Sequence, residues 1–228
     1  MVWFSDFVAL IYPRVCTACG ESLFKHENTV CNLCYVSLPK TNYHLSADNP
    51  VMKNFYGRAD VALASSFLLF QKKGKVQKML HTLKYRSRPE VGYLLGKWYG
   101  ADLKKANVFT ACDYIIPVPL HKKRQQKRGY NQSEYFAKGL SEELNIPVIN
   151  DVLLKKHFTE TQTYKTREER WQNTIHSFEI RKKELLKNKK VLLVDDVITT
   201  GATTEACVLQ LAEASQAPVY VASIAYTL

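Results

Sequence analysis

At 228 residues the chain has room for one large domain, or for a medium domain carrying a small appendage. Its 46% hydrophobic and 11% aromatic content is that of a packed globule and excludes a disordered, collagen-like or coiled-coil chain. The formal net charge of +11 points to a polyanionic partner, whether nucleic acid, an anionic membrane face or a phosphate-rich small molecule.

The opening "MVWFSDFVALIYPRVC" lacks a basic leader, carries Asp6 in its apolar run and has no small-residue cleavage site before Pro13, so it does not read as a signal peptide. It is also shorter than the roughly 20 apolar residues that cross a bilayer. Trp3, Phe4, Phe7, Val8 and Ile11 fall near one helical face and are expected to pack on the first module. The chain is therefore expected to be cytoplasmic and not transmembrane, at most peripheral to the inner membrane. Next come "CTAC" (Cys16, Cys19) and "CNLC" (Cys31, Cys34), two pairs bracketing a short hydrophilic hairpin. That spacing reads as a structural zinc site, and the metal would supply folding free energy that so few residues cannot. A thioredoxin-like redox pair would need a single Cys-x-x-Cys after a strand of a βαβ unit. His26 and His44 are weaker candidates for the same site. "SLPKTNYHLSADNPVMKNFYG" is rich in Ser, Asn and Pro without periodicity and reads as a linker. Residues 1–50 are thus expected to form the N-terminal helix, four-cysteine module and linker, and 51–228 the main domain.

From about Ala59 strands alternate with helices, which predicts an α/β fold with a parallel sheet covered on both faces. "VALASSFLLF" reads as a strand, and "GKVQKMLHTLKYRSRPEVGYLLGKWYGADLKK" as helix interrupted near Pro89. "DYIIPVPL" is a strand stopped by prolines. "NQSEYFAKGLSEELN" is an amphipathic helix with Tyr135, Phe136, Leu140 and Leu144 on one side. "PVINDVLLKK" is a weak strand and "PVYVASIAY" a closing one. Residues 155–180 are polar and read as a binding loop over the site, with partial helix at 166–173. Cys112 and Cys207 stand in apolar surroundings and are expected in the core.

The most specific signal is "KKVLLVDDVITTGATTEACVLQL". An apolar strand at 191–194 meets two adjacent acids, then a hydroxyl-rich loop, then a helix at 202–211. A receiver domain would place its acid pair on the first strand rather than a late one, and no Gly-x-x-x-x-Gly-Lys-Ser/Thr loop is present. Recognition of a phosphorylated ribose uses every residue type here. Asp195 and Asp196 accept hydrogen bonds from ribose hydroxyls. Thr199, Thr200 and Thr203, with backbone N–H groups at the helix start, form an anion site for a 5′-phosphate. Gly201 lets the backbone approach that phosphate closely. "HKKRQQKRGYNQ" after the "YIIPVPL" strand offers Arg124, Lys127 and Arg128 as phosphate partners, with Gly129 freeing the turn.

"VLLVDDVITTGAT" resembles the phosphoribosyl pyrophosphate motif of type I phosphoribosyltransferases. "PVPLHKKRQQKRGYNQ", "TETQTYKTREERWQN" and "CTAC…CNLC" together resemble the ComF competence-protein family over nearly the whole chain. Tyr130 stands where phenylalanine is usual, Ser87 where glycine is common, and the segment after Gln162 lacks the expected leucine. The resemblance implies a Rossmann-like core binding phosphoribosyl pyrophosphate with Mg²⁺. Asp195 and Asp196 would be catalytic if turnover occurs. Val197, Thr199, Thr200, Gly201, Ala202, Thr203, Arg124, Arg128 and Gly129 would line the ligand, and Lys165 and Arg170, with Arg167 and Asn173, would close over it. The small leading module, with Val2 after the initiator, sets aside the glutamine-dependent amidophosphoribosyltransferases.

Two classes of function remain open from the sequence. One is a phosphoribosyltransferase acting on an unidentified acceptor, for which no activating base is visible. The other, implied by the resemblance, is an accessory to DNA uptake in natural transformation, moving single-stranded DNA across the inner membrane alongside the uptake machinery. "QKKGKVQKMLHTLKYRSR" supports the second: Lys72, Lys73, Lys75, Lys84 and Arg86 are candidate nucleic-acid contacts, interleaved with His81 and Tyr85. On the same helix Val76, Met79, Leu80 and Leu83 are expected to face the core.

Overall fold

The computed structural model describes residues 13–156 and 177–228. In chain order the main elements are α1 (Asn32–Val36), α2 (Pro50–Lys53), β1 (Val61–Leu69), α3 (Lys75–Tyr85), α4 (Glu90–Lys105), β2 (Tyr114–Pro117), α5 (Lys122–Arg128), α6 (Gln132–Leu144), β3 (Leu153–Lys155), β4 (Phe178–Ile180), β5 (Val191–Ile198), α7 (Ala202–Ser215) and β6 (Val219–Tyr226). Strands β1, β6, β5 and β2 form one sheet in that order, with every neighbouring pair parallel. Apolar runs at its centre explain the arrangement. Val191, Leu192, Leu193 and Val194 on β5, and Val221, Ala222, Ile224 and Ala225 on β6, are fully buried because helices cover both faces. α3, α4 and α6 pack on one face; α7 and residues 51–55 pack on the other. Val76, Met79, Leu80 and Leu83 of α3 point inward as expected, and Cys112 and Cys207 are buried.

Three expectations need correcting. The strand read at 191–194 continues to Ile198, so the acid pair lies within β5 rather than beyond it. The weak strand read at 147–156 splits in two: Val148 makes a single parallel bridge to Ile115 of β2, whereas β3 pairs antiparallel with β4 in a separate two-stranded ribbon. The linker is packed structure. Asn49, 2% exposed, accepts hydrogen bonds from the N–H groups of Val51 and Met52 as the cap of α2 and donates to the Ala64 carbonyl of β1 at 3.0 Å. Val51 and Phe55 then enter the core. The Asn and Ser content that suggested a linker is here capping chemistry, and the boundary expected at residue 50 falls at the start of α2.

α4 and α6 meet with their backbones in contact. Gly92, Gly96 and Gly100 recur every four residues on α4 and so share one face. A Cβ on Gly139 of α6 would overlap the Tyr93 carbonyl and lie 2.7 Å from the Lys97 nitrogen. These obstacles are main-chain atoms, which cannot swing aside as a side chain can. Gly139→Val is expected to cost about 3 kcal/mol in chemical denaturation, the upper end of ordinary overpacking. A loss under about 0.5 kcal/mol would show that the helices can part freely. Both departures at the end of α3 also find an account. Ser87 has φ +50°, the left-handed region that favours glycine, and the Tyr130 hydroxyl, absent from phenylalanine, donates to the Leu83 carbonyl.

Candidate functional site

β5 delivers Asp195 and Asp196 to the carboxyl edge of the sheet, and residues 199–201 turn the chain into α7. Gly201 caps that helix at φ +75°, a conformation costly for a residue with a Cβ, and its carbonyl accepts from the Glu205 N–H at 2.7 Å. Buried Glu205 is ion-paired with Arg58, which ties the first turn of α7 to the segment following α2. The first-turn N–H groups of α7 thus open onto a cleft of about 210 Å³.

Five further elements wall that cleft. Val118, Pro119 and Leu120 leave β2, Arg124 and Arg128 come from α5, Ser133 from α6, Lys84 from α3 and Lys155 from β3. Asp195 accepts from the Ser133 hydroxyl at 3.2 Å and from the Asp196 N–H at 2.7 Å. Asp196 is ion-paired with Lys84 at 3.0 Å. Burial, and then the neighbouring Asp196 carboxylate, push Asp195 up to about 7 despite Lys84 and Ser133. Burial also lowers the Lys155 ammonium, with Arg124 adding repulsion and Asp195 opposing it.

Most of the residues singled out from sequence converge here. Asp195, Asp196, Val197, Thr199, Gly201, Thr203, Arg124 and Arg128 all line the cleft. Thr200 and Ala202 belong to the same turn but are not lining residues, and Gly129, at φ +81°, ends α5 without lining it. Lys165, Arg167, Arg170, Asn173 and the helix expected at 166–173 lie outside the described residues, as does the N-terminal stretch 1–12. Lys84, grouped by sequence with the nucleic-acid lysines, sits in the cleft. Lys72 and Lys73 are exposed on the turn before α3, and Lys75 donates to Ser37 at 2.6 Å. Sequence reading missed Lys155 and Ser133, because nothing local marks them, and missed α5 as a helix. It also missed a second cavity of about 410 Å³, which shares Pro119, Leu120 and Lys155 with the cleft and extends under the β3–β4 ribbon to Glu179 and Arg181.

The four cysteines are brought together outside the cleft, beside α3. Their sulfurs lie within 4.8 Å of one another, with Cys19 and Cys31 3.9 Å apart. Tetrahedral ligation at about 2.3 Å per bond separates sulfurs by roughly 3.8 Å, so the cage matches a thiolate-bound metal such as zinc. Cys16 accepts from the Cys31 N–H at 3.3 Å and Cys19 from the Glu21 N–H at 3.4 Å, the outer-shell bonds that steady thiolate ligands. His44 is buried against Tyr99, and neither His44 nor His26 joins the cluster. Among the described residues no helix is long and apolar enough to cross a membrane.

The model of the phosphoribosyl transferase domain matches residues 131–226, from the cap of α6 to the end of β6. Competence protein F of Haemophilus influenzae is 39% identical over 103 residues, 45% of this chain and 45% of that protein, so this match spans under half the relative's length. The DNA utilization protein YhgH of Escherichia coli O157:H7 is 28% identical over 205 residues, 86% of this chain and 83% of that one. Competence protein ComFC of Bacillus subtilis is 24% identical over 204 residues, covering 89% and 80%. The chain is similar to the ComF family of competence and DNA utilization proteins. Its core is the parallel-sheet, type I phosphoribosyltransferase fold. The matched domain contains the acid pair and α7, whereas the cysteine cage, α3 and both cleft arginines precede it.

Proposed function

We propose that this chain is a ComF-type protein that binds phosphoribosyl pyrophosphate with Mg²⁺ in the β5–α7 cleft, and that it serves in handling single-stranded DNA during uptake. The observation that carries the ligand reading is the joining of an acid pair to a glycine-led helix start, opposite two arginines and a lysine, in one cleft. Asp195 and Asp196 accept from the ribose diol. Thr203 and the first-turn amides of α7 hold the 5′-phosphate. Arg124, Arg128 and Lys155 face the diphosphate, and Lys84 exchanges Asp196 for a phosphate oxygen. Mg²⁺, when bound, neutralises diphosphate charge and weakens the bond to the leaving group. The DNA role is supported by the names of the relatives, Competence protein F and DNA utilization protein, and by the charge of +11. With that role the protein would work in the cytoplasm, or peripheral to the inner membrane beside the uptake machinery; the four-cysteine cage would hold zinc.

Calorimetric titration with phosphoribosyl pyrophosphate and Mg²⁺ tests the ligand reading, and its pH dependence carries a sign. Asp195 is raised to about 7 when folded, so ionising it costs stability that is fully present at low pH and lost as pH rises through 7. A diol donates to the ionised carboxylate, so binding should weaken about tenfold from pH 8 to pH 6, beyond any weakening seen in Asp195→Asn. The variant subtracts titration of the ligand's own phosphates. Identical pH profiles for the two proteins would remove Asp195 from the diol site.

A second reading, a phosphoribosyltransferase that completes a transfer, is favoured by the adjoining cavity, which gives an acceptor a place beside the anomeric carbon. Pyrophosphate release that appears only on adding a nitrogenous acceptor would establish it.

A further inference from the structure

We propose that single-stranded nucleic acid lies in the groove between the four-cysteine loop and α3 and continues onto the exposed ring of Tyr85, which stands beside the groove next to His81 as a stacking platform. This inference rests on the DNA-handling reading and assigns it a surface. The groove has a volume of about 630 Å³. One wall is the cysteine loop, through Thr17, Cys19 and Gly20. The other is α3 and the turn after it, through Lys78, His81, Arg86 and Arg88. No Asp or Glu is among its lining residues.

The spacing on α3 gives the groove its chemistry. Lys78, His81 and Tyr85 stand at i, i+3 and i+7 and form one exposed stripe opposite the buried Val76, Met79, Leu80 and Leu83. Tyr85 is 64% exposed, although a tyrosine needed only for packing would be covered. Its ring lies 5.0 Å from that of His81, and the Arg128 guanidinium sits 5.4 Å over it. Cations flanking a tilted pair of exposed rings suit a flexible strand whose base faces are free; a duplex keeps those faces inside its own stack. From Gln77 to Tyr85 the helix runs roughly 12 Å, enough for three or four nucleotides at the stacked spacing of about 3.4 Å. Because Arg128 also lines the cleft, the strand's path ends beside the phosphoribosyl site.

The test is fluorescence anisotropy on the full, metal-loaded chain with a labelled oligothymidylate of about 20 nucleotides and a duplex of equal length. Both probes are titrated between roughly 50 and 200 mM salt. Wild type should bind the single strand more tightly than the duplex. Lys78→Ala/Arg86→Ala should weaken binding at least about tenfold at low salt, and should flatten the log–log salt slope by about 1.4, at roughly 0.7 per lost phosphate contact. Tyr85→Ala should weaken binding roughly 5- to 100-fold with the slope unchanged, and Tyr85→Trp should retain it. Lys72→Ala/Lys73→Ala, on the turn outside the groove, should change little. Strand binding that responds to Lys72 and Lys73 but not to the groove variants would overturn this placement and leave the DNA-handling reading standing. Equal affinity for the duplex would overturn the stacking role, and a wild type that binds neither probe would overturn both readings. Melting temperatures within about 2 °C of wild type distinguish lost contacts from lost folding.

Discussion

Converting Asp195 and Asp196 together to asparagine should weaken phosphoribosyl pyrophosphate binding by two to four orders of magnitude while leaving the protein folded. Each carboxylate offers a charge-assisted acceptor to the ribose diol, and such bonds contribute about 1.5–3 kcal/mol apiece. Stability should move the other way. Asp195 is half-buried against Asp196 and sits at about 7, so the native state resists its ionisation. Asparagine removes that charge and keeps the shape, and the variant's melting temperature at pH 8 should equal or exceed that of wild type. Lys84 loses its partner, but it remains within reach of the solvent in the cleft and adds only a small opposing cost. Calorimetry and thermal melting on the same samples separate the two effects. Undiminished affinity in the double variant would mean that the acids serve only the fold, and a large fall in melting temperature would mean that they hold it together.

Removing metal from the four-cysteine cage should unfold the N-terminal module without emptying the cleft. Apart from the cysteines, Ala18 and Val30 are among the few residues buried within that module, and it docks on α4 largely through Tyr35 against Trp98, with ring centroids 4.5 Å apart. So small a core cannot offset the conformational entropy of ordering the loop, whereas structural zinc binds with an apparent 10–16 kcal/mol. Chelation, or Cys34→Ser, should therefore open residues 13–36 to protease and release close to one equivalent of zinc. Affinity for phosphoribosyl pyrophosphate should stay within a few-fold, because no cleft residue comes from the module. An unchanged protease pattern in metal-free protein would show that the thiols are held by packing alone. Loss of the ligand along with the metal would show that the module supports the core.

How much of this was legible in the sequence depended on how far apart the cooperating residues lie. The acids, the threonine-rich turn and the first turn of α7 fall within ten residues of one another, and two Cys-x-x-Cys pairs fall within twenty, so local spacing carries their chemistry. The apolar runs of β5 and β6 announce a doubly covered parallel sheet for the same reason. The segment containing Asn49 was misread because capping and linker residues are the same types, and only its bond to Ala64 tells them apart. The glycine ladder of α4 was silent until α6 was seen lying across it.

From the sequence alone come the strand–loop–helix proposed to hold a phosphorylated ribose, the thiol set of the candidate metal cage and the apolar faces that build the sheet, each encoded by neighbours along the chain. Only the tertiary structure decides which cations meet the acids. It brings Lys84 to Asp196 across 112 positions and Ser133 to Asp195 across 62, sets Lys155 in the same cleft, and leaves the other lysines of α3 outside. That choice follows from the rotation of a packed helix, which turns one long side chain over the sheet edge and its neighbours toward solvent, and no periodicity within the helix reveals what stands opposite.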